Sequence, residues 1–443
     1  VTALLFTCGS WSQVDLEAAK QGTIMPKSTI VQTAPGAWKI TALLFVYMMI
    51  NFADKIAVGL AGVPIMKEMN LTPEQFGLVG SSFFFLPSIT SVLVGFSLNK
   101  VETRWVVFVL AIIWALTQFP LITSISFSTL LISRIVLGAG EGPAYAVVLH
   151  SIYKWFPDEK RTLPTAIVNQ GSAFGVIIAI PALNWLIVHF NWHTAFGALG
   201  VVGLLWAMIW LRFGKDGPIT SSSNFLDEEP NVPYLRLLLT RTFIGCSLST
   251  FGAYWVMSVA LTWLTPFIVK GLGYSQSTAG WISIFPWVEG TTVLIGTALL
   301  SQRLMSKGVS SRVARGVVGG VPLILAGVLL TMTSFAENPA AKIALLILGS
   351  GLCGAIYVVS PPMLSEITPV KQRGAIISVY SAIFNLAGII SPVAMGSIIQ
   401  HSITPLEGYL AIWKVSGAIL MVAGVIGLLL LRPDADRLSL QGK

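Results

Sequence analysis

The chain has 443 residues, 54% of them hydrophobic and only 10% charged, whereas about a quarter of a soluble domain is charged, so a water-soluble globular fold is excluded. The net charge of +8 is spread over short loops between apolar runs and forms no single patch, which argues against a nucleic-acid partner. Cys8, Cys246 and Cys353 are too few and too dispersed for a disulfide framework or a thiolate metal site.

Residues 1–38 are of mixed polarity and are expected to be a disordered cytoplasmic segment. The apolar opening from Val1 to Phe6 is too short to span and lacks the basic residues that precede the apolar stretch of a secretory signal. Met25, followed by Pro26 and Lys27, is an alternative translation start.

Apolar runs of about 20 residues follow, each long enough at 1.5 Å per residue to cross a hydrocarbon core of about 30 Å. They are apolar on every side, as from Val106 to Ile122, where barrel strands would alternate. Spans are predicted to begin near Ile40, Phe76, Trp105, Thr129, Leu163, Trp192, Thr242, Ala279, Val313, Lys342, Gly374 and Gly408. The fold class is therefore an all-α membrane protein of twelve transmembrane helices. Residues 214–241 hold Asp216, Asp227, Glu228, Glu229, Pro218 and Pro230, a composition that cannot bury itself. They form the expected cytoplasmic linker between six-helix halves at residues 39–213 and 242–432, with a cytoplasmic tail at 433–443.

The halves read as repeats. Pro157, Gly175 and Pro181 recur as Pro369, Gly388 and Pro392, at spacings of 212, 213 and 211 residues. A period near half the chain fits two parallel repeats with a binding site between them near the midplane. Most Lys and Arg fall on the side of the linker, and only Lys67, Lys270, Lys342 and Lys414 fall on the other, so both termini are expected in the cytoplasm.

Five charges lie within spans: Asp54 and Lys55 in the first, Arg134 and Glu141 in the fourth, Glu289 in the eighth. Each costs at least about 2.5 kcal/mol near the bilayer centre and needs a partner, a cavity or a task. Helix rise puts Asp54 and Arg134 at the same depth, about 9 Å from the far surface, where they can pair; Glu141 lies two turns further along the helix of Arg134. The pairing either locks two helices together or belongs to a column of charge facing one cavity. Three acids against two bases leave one carboxylate uncompensated, which points to a proton site. Lys55 can alternatively extend its stem to the outer interface. Glu289, between Pro286 and Gly290, either faces a cavity or caps a broken turn. Gly138, Gly140, Gly142 and Pro143 serve close packing or hinging of the fourth span.

The segments Asn51-Phe-Ala-Asp-Lys55, Arg134-Ile-Val-Leu-Gly-Ala-Gly-Glu141, Lys154-Trp-Phe-Pro-Asp-Glu-Lys-Arg161, Thr262-Trp-Leu264 and Asn385-Leu-Ala-Gly-Ile-Ile-Ser-Pro392 together resemble the major facilitator superfamily. Within it the chain resembles the anion:cation symporter family of sugar-acid, tartrate and phthalate permeases. The resemblance implies the major facilitator fold, with the two halves related by pseudo-symmetry. It also implies proton-coupled symport of a small organic anion by alternating access, with Asp54 and Glu141 as proton-coupling acids. Lys55 and Arg134 correspond to the basic residues that meet the substrate carboxylate, and Asn385 to a polar contact in the second half. Asn169, Gln170 and Ser172 are the candidates on the first half.

The departures bear on the substrate. Lys55 stands where the family usually has Arg, which replaces a planar two-pronged donor by a point charge. Phe52 and Pro87 stand where sugar-acid members often have tyrosine, and Ser91 where many have glutamine, so a less hydroxylated substrate is expected. The loop motif after the second span reads Gly95-Phe-Ser-Leu-Asn99, and its counterpart after the eighth has Gln302 for the acid, which weakens the expected gating contacts. No cofactor is expected, the proton gradient being the energy source. The expected setting is a bacterial inner membrane, and the protein is expected to work as a monomer. Exporters or exchangers on the same scaffold, and a membrane sensor that binds an anion without moving it, are the alternatives. An enzyme is not expected: His150, His189, His193 and His401 are scattered at span ends, and no nucleophile elbow or phosphate loop is present.

Overall fold

The computed structural model of the chain describes residues 34–98, 101–157, 160–218, 232–369 and 372–440. The readings made on residues 1–33, on Asp158, Glu159 and Lys371, on the centre of the linker and on Asn99 lie outside these.

Among the described residues, twelve helices are long and apolar enough to cross a membrane. In chain order they are α1 (Ala37–Leu60), α2 (Pro73–Gly95), α3 (Thr103–Ile122), α4 (Phe127–Tyr153), α5 (Leu163–His189) and α6 (Trp192–Phe213). The second six are α7 (Arg241–Gly271), α8 (Gln276–Ser306), α9 (Arg312–Met332), α10 (Pro339–Ile367), α11 (Arg373–Gln400) and α12 (Pro405–Leu430). Each starts within three residues of its predicted start, and several of the earlier starts carry a side-chain cap. Thr72, Ser126, Thr240, Ser275, Asn338 and Thr404 each accept a backbone N–H of the first turn, and Pro73, Pro339 and Pro405 occupy the first helical position, where no donor is lost.

The repeat is visible in hydrogen bonds. Arg161 donates to the carbonyls of Phe156 at 3.0 Å and Tyr153 at 3.1 Å, while Arg373 donates to those of Thr368 at 3.2 Å and Ser365 at 3.1 Å. All three positions recur at the 212-residue spacing, so the same arginine clip ends α4 and α10. Parts of the linker and tail are ordered. Asp216 pairs with Lys154 at 2.8 Å and accepts the backbone N–H of Thr103 at 3.0 Å and Arg104 at 2.8 Å, capping α3. A short helix forms at Tyr234–Leu238 and another at Pro433–Leu440, from which Asp434 and Asp436 accept the first N–H groups of α9 and α7.

The halves meet at the end away from the linker. There α1 packs on α7 so closely that a Cβ on Gly59 would lie 1.7 Å from the Leu261 carbonyl oxygen. Amide bonds complete the seal: Gln276 donates to the Leu60 carbonyl at 2.8 Å, and the Glu74 N–H donates to Gln400 at 3.3 Å. Toward the linker the halves diverge around a cavity.

Candidate functional site

The cavity has a volume of ≈ 890 Å³ and is walled by α1, α2, α4 and α5 on one side and α7, α8, α10 and α11 on the other. Its lining runs from Leu60 and Leu261 at the sealed end to Gly95 and Ser378 near the linker side, so it opens toward the linker. Six of the eight candidate residues line it: Lys55, Glu141, Asn169, Gln170, Ser172 and Asn385. Asp54 and Arg134 are buried behind the wall and are not among its lining residues.

The charges pair differently from the expectation drawn from depth. Lys55 Nζ lies 3.3 Å from Glu141 Oε2, joining α1 to α4, with side-chain exposures of 18% and 1%. The ammonium therefore sits at the cavity surface and the carboxylate beneath it. Lys55 also donates to Asn51 Oδ1 one turn back, at 2.5 Å, and lies 4.2 Å from the centre of the Phe52 ring, a cation–π contact. It is thus turned inward and does not reach for the outer interface. Glu141 Oε1 and Asn51 Nδ2 are buried without partners.

Asp54 and Arg134 form no side-chain ion pair among the described residues. Asp54 Oδ1 accepts from Gln118 of α3 at 3.1 Å, and Arg134 Nη1 reaches only the backbone carbonyl of Asp54, at 3.4 Å. The guanidinium lies 5.0 Å from the centre of the Phe83 ring. The reason is helix rotation: neighbours in a helix are separated by about 100°, so Asp54 faces α3 when Lys55 faces α4. Gln118 was missed, and it could have been found as the one amide in an otherwise apolar span.

Gly138 packs against the carbonyl of Phe83, where a Cβ would come within 1.9 Å, so close packing of α4 on α2 is realised at this glycine. Proline at 143 divides α4 into helices ending at Glu141 and starting at Ala144. On the far wall, Asn385 donates to its own helix at Ser381, 2.9 Å away. Tyr357 and Ser350 line the cavity with hydroxyls that are buried and unpartnered. Glu289 does not line it. Its Oε2 is sealed over Gly351 of α10, at the place a Cβ would occupy.

A model of the Major Facilitator Superfamily matches residues 43–358 and 323–442. The chain belongs to that family. It is 26% identical over 411 residues to a hexuronate transporter of Bacillus subtilis, covering 88% of this chain and 96% of that one. It is 26% identical over 407 residues to a probable sulfoacetate transporter of Cupriavidus necator, covering 88% and 92%. Among solved structures it resembles a bacterial homologue of the human lysosomal transporter Spinster, in an inward-facing and unoccupied conformation. The TM-score is 0.78 at 18% identity, over 92% of this chain and 99% of that one. A D-xylose-proton symporter gives 0.71 at 16% identity, over 90% and 99%. The protein is thus a multi-pass membrane transporter and not an enzyme.

Proposed function

We propose that this transporter imports a small organic anion together with protons, and that the linker side is cytoplasmic. The carrying observation is the ion pair of Lys55 and Glu141, a cation on the cavity wall backed by a buried acid. An arriving carboxylate competes for Lys55. Glu141 then loses its counter-charge in a site that hydrates it poorly, and a proton is the remaining way to neutralise it. Anion binding favours protonation and, by reciprocity, protonation frees Lys55 for the anion. The empty carrier, with its internal ion pair, and the doubly loaded carrier bury the same net charge. A carrier with anion alone buries one more negative charge, which disfavours crossing. Asp54, held by Gln118 and beside the Arg134 guanidinium, is the second proton-coupling candidate. The names of the relatives, hexuronate and sulfoacetate transporters, support an organic anion as cargo, and the excess of Lys and Arg on the linker side supports the orientation.

The test is transport in proteoliposomes. Glu141→Gln, which resembles the protonated acid, is expected to retain substrate counterflow and to lose accumulation driven by a pH gradient. Normal gradient-driven accumulation by Glu141→Gln would remove Glu141 from the mechanism.

A further inference from the structure

We infer, resting on the transport reading above, that the substrate is an aromatic monocarboxylate carrying at most one distal hydroxyl, in place of a polyhydroxylated or doubly charged acid. Four features of the cavity carry this.

The first is charge. Among the described residues that line the cavity, Lys55 is the one cation. A second carboxylate on the substrate would enter a partly dehydrated space with no counter-ion, so the site is built for one anionic head.

The second is the state of the hydroxyls. Ser91 donates to the Pro87 carbonyl at 2.7 Å, Ser172 to Asn169 at 2.5 Å, Thr291 to Trp287 at 2.8 Å and Ser378 to Gly374 at 2.8 Å. Each spends its donor on its own helix. A sugar acid with several hydroxyls would find none of these four free to donate to it and would depend on the few amides of the wall, such as Asn169 and Gln170.

The third is the aromatic wall. Phe52 and Trp287 meet edge to face with ring centres 6.3 Å apart, and Tyr254 stands 5.8 Å from Phe84 and 4.8 Å from Phe384. All five line the cavity, and both groups cross from one half to the other. Because Lys55 lies over Phe52, a ring bonded directly to the carboxylate that Lys55 holds lies along the same aromatic surface.

The fourth is the pair of Tyr357 and Ser350 on α10. Both hydroxyls are buried at the cavity without a partner. A buried polar group left unpaired is costly, and a hydroxyl on the substrate offers a partner at this wall.

The experiment measures uptake by wild-type proteoliposomes of benzoate, 4-hydroxybenzoate, D-glucuronate and malate at equal concentration, and competition among them. Benzoate and 4-hydroxybenzoate are expected to be transported, with glucuronate and malate about tenfold or more weaker. Trp287→Ala is expected to weaken both aromatic acids about tenfold. Tyr357→Phe, a variant that keeps the ring and its packing, is expected to erase the preference for 4-hydroxybenzoate over benzoate. Transport of glucuronate or malate with both aromatic acids inert would overturn the substrate class and leave the transport reading standing. If none of the four acids is moved or competes, the substrate class is overturned, and the transport reading is judged separately by the Glu141→Gln test. An unchanged preference in Tyr357→Phe overturns the assignment of the distal hydroxyl.

Discussion

The two halves share a scaffold and divide the chemistry. The arginine clips at Arg161 and Arg373 make matching hydrogen bonds, yet at the same 212-residue spacing Glu141 corresponds to Cys353 and Arg134 to Leu346. The first half thus carries Lys55, Asp54, Arg134 and Glu141 in one cluster, while the second presents aromatic rings and uncharged hydroxyls to the cavity. Charge inside a membrane is expensive, and in the second half Glu289 is kept off the cavity, sealed over Gly351. On the proposed reading, the first repeat holds the charged head of the substrate and both repeats supply the aromatic surface for its body.

The sharpest way to break this comparison is to remove the head contact. Lys55→Ala takes away the cavity cation and strands Glu141, so affinity is expected to fall at least about a hundredfold, the cost of truncating one partner of a buried charged pair. Lys55→Arg should restore part of it. Calorimetric titration in detergent reads both, and near-normal affinity in Lys55→Ala would dissolve the distinction between the halves. Next in size is Gly59→Ala, whose methyl would overlap the Leu261 carbonyl and open the seal shared by both halves. Overpacking of this kind costs about 1–3 kcal/mol, enough to shift a two-state equilibrium about tenfold. Spin labels placed across the sealed end should report more of the outward-open state; an unchanged distance distribution would show that the contact does not hold the seal.

Asn385→Ala tests the neutral half, and the expected loss is smaller, about 1 kcal/mol or less than tenfold in affinity, because its amide already bonds to Ser381. A loss as large as that of Lys55→Ala would place head recognition in both halves. The smallest effect concerns a clasp confined to the first half. Burial alone would raise the pKa of Glu68, but hydrogen bonds from His193 at 2.8 Å and Trp192 at 2.6 Å outweigh it and hold the carboxyl below its ordinary value. The stability this contributes is present above the ordinary glutamate value and is lost as pH falls through the lower, folded one. Glu68→Gln should therefore melt slightly earlier than wild type at neutral pH, by about 1 kcal/mol or less for so exposed a group, and the difference should vanish once the pH has fallen below the lowered, folded-state value.

Much of this was legible in the residues. Span existence came from apolar length, and span starts missed by up to three residues because caps such as Thr72 and Thr404 and their prolines are polar or neutral to hydropathy. The repeat was legible in Pro157 and Pro369. The charge pairing was not: helix rise gives the depth of Asp54 and Arg134, but the rotation of each helix decides which neighbour a side chain meets, and only packing sets that angle. Hence Lys55 with Glu141, and Asp54 with Gln118. The aromatic wall was legible only in part: Phe52 reads as a departure that bears on the substrate, but its meeting with Trp287, far away in the chain, is set by packing.

The seal at the end away from the linker carries one more consequence. It is made of Gly59 against the Leu261 carbonyl and of amide bonds from Gln276 and to Gln400, and no ion pair joins the two halves among the described residues. Dissolved electrolyte weakens contacts between exposed charges over a Debye length of about 8 Å at physiological strength, and it has little purchase on packed backbone or uncharged amides. Dissolved salt therefore has little hold on this seal, whose strength rests on packing and on uncharged hydrogen bonds.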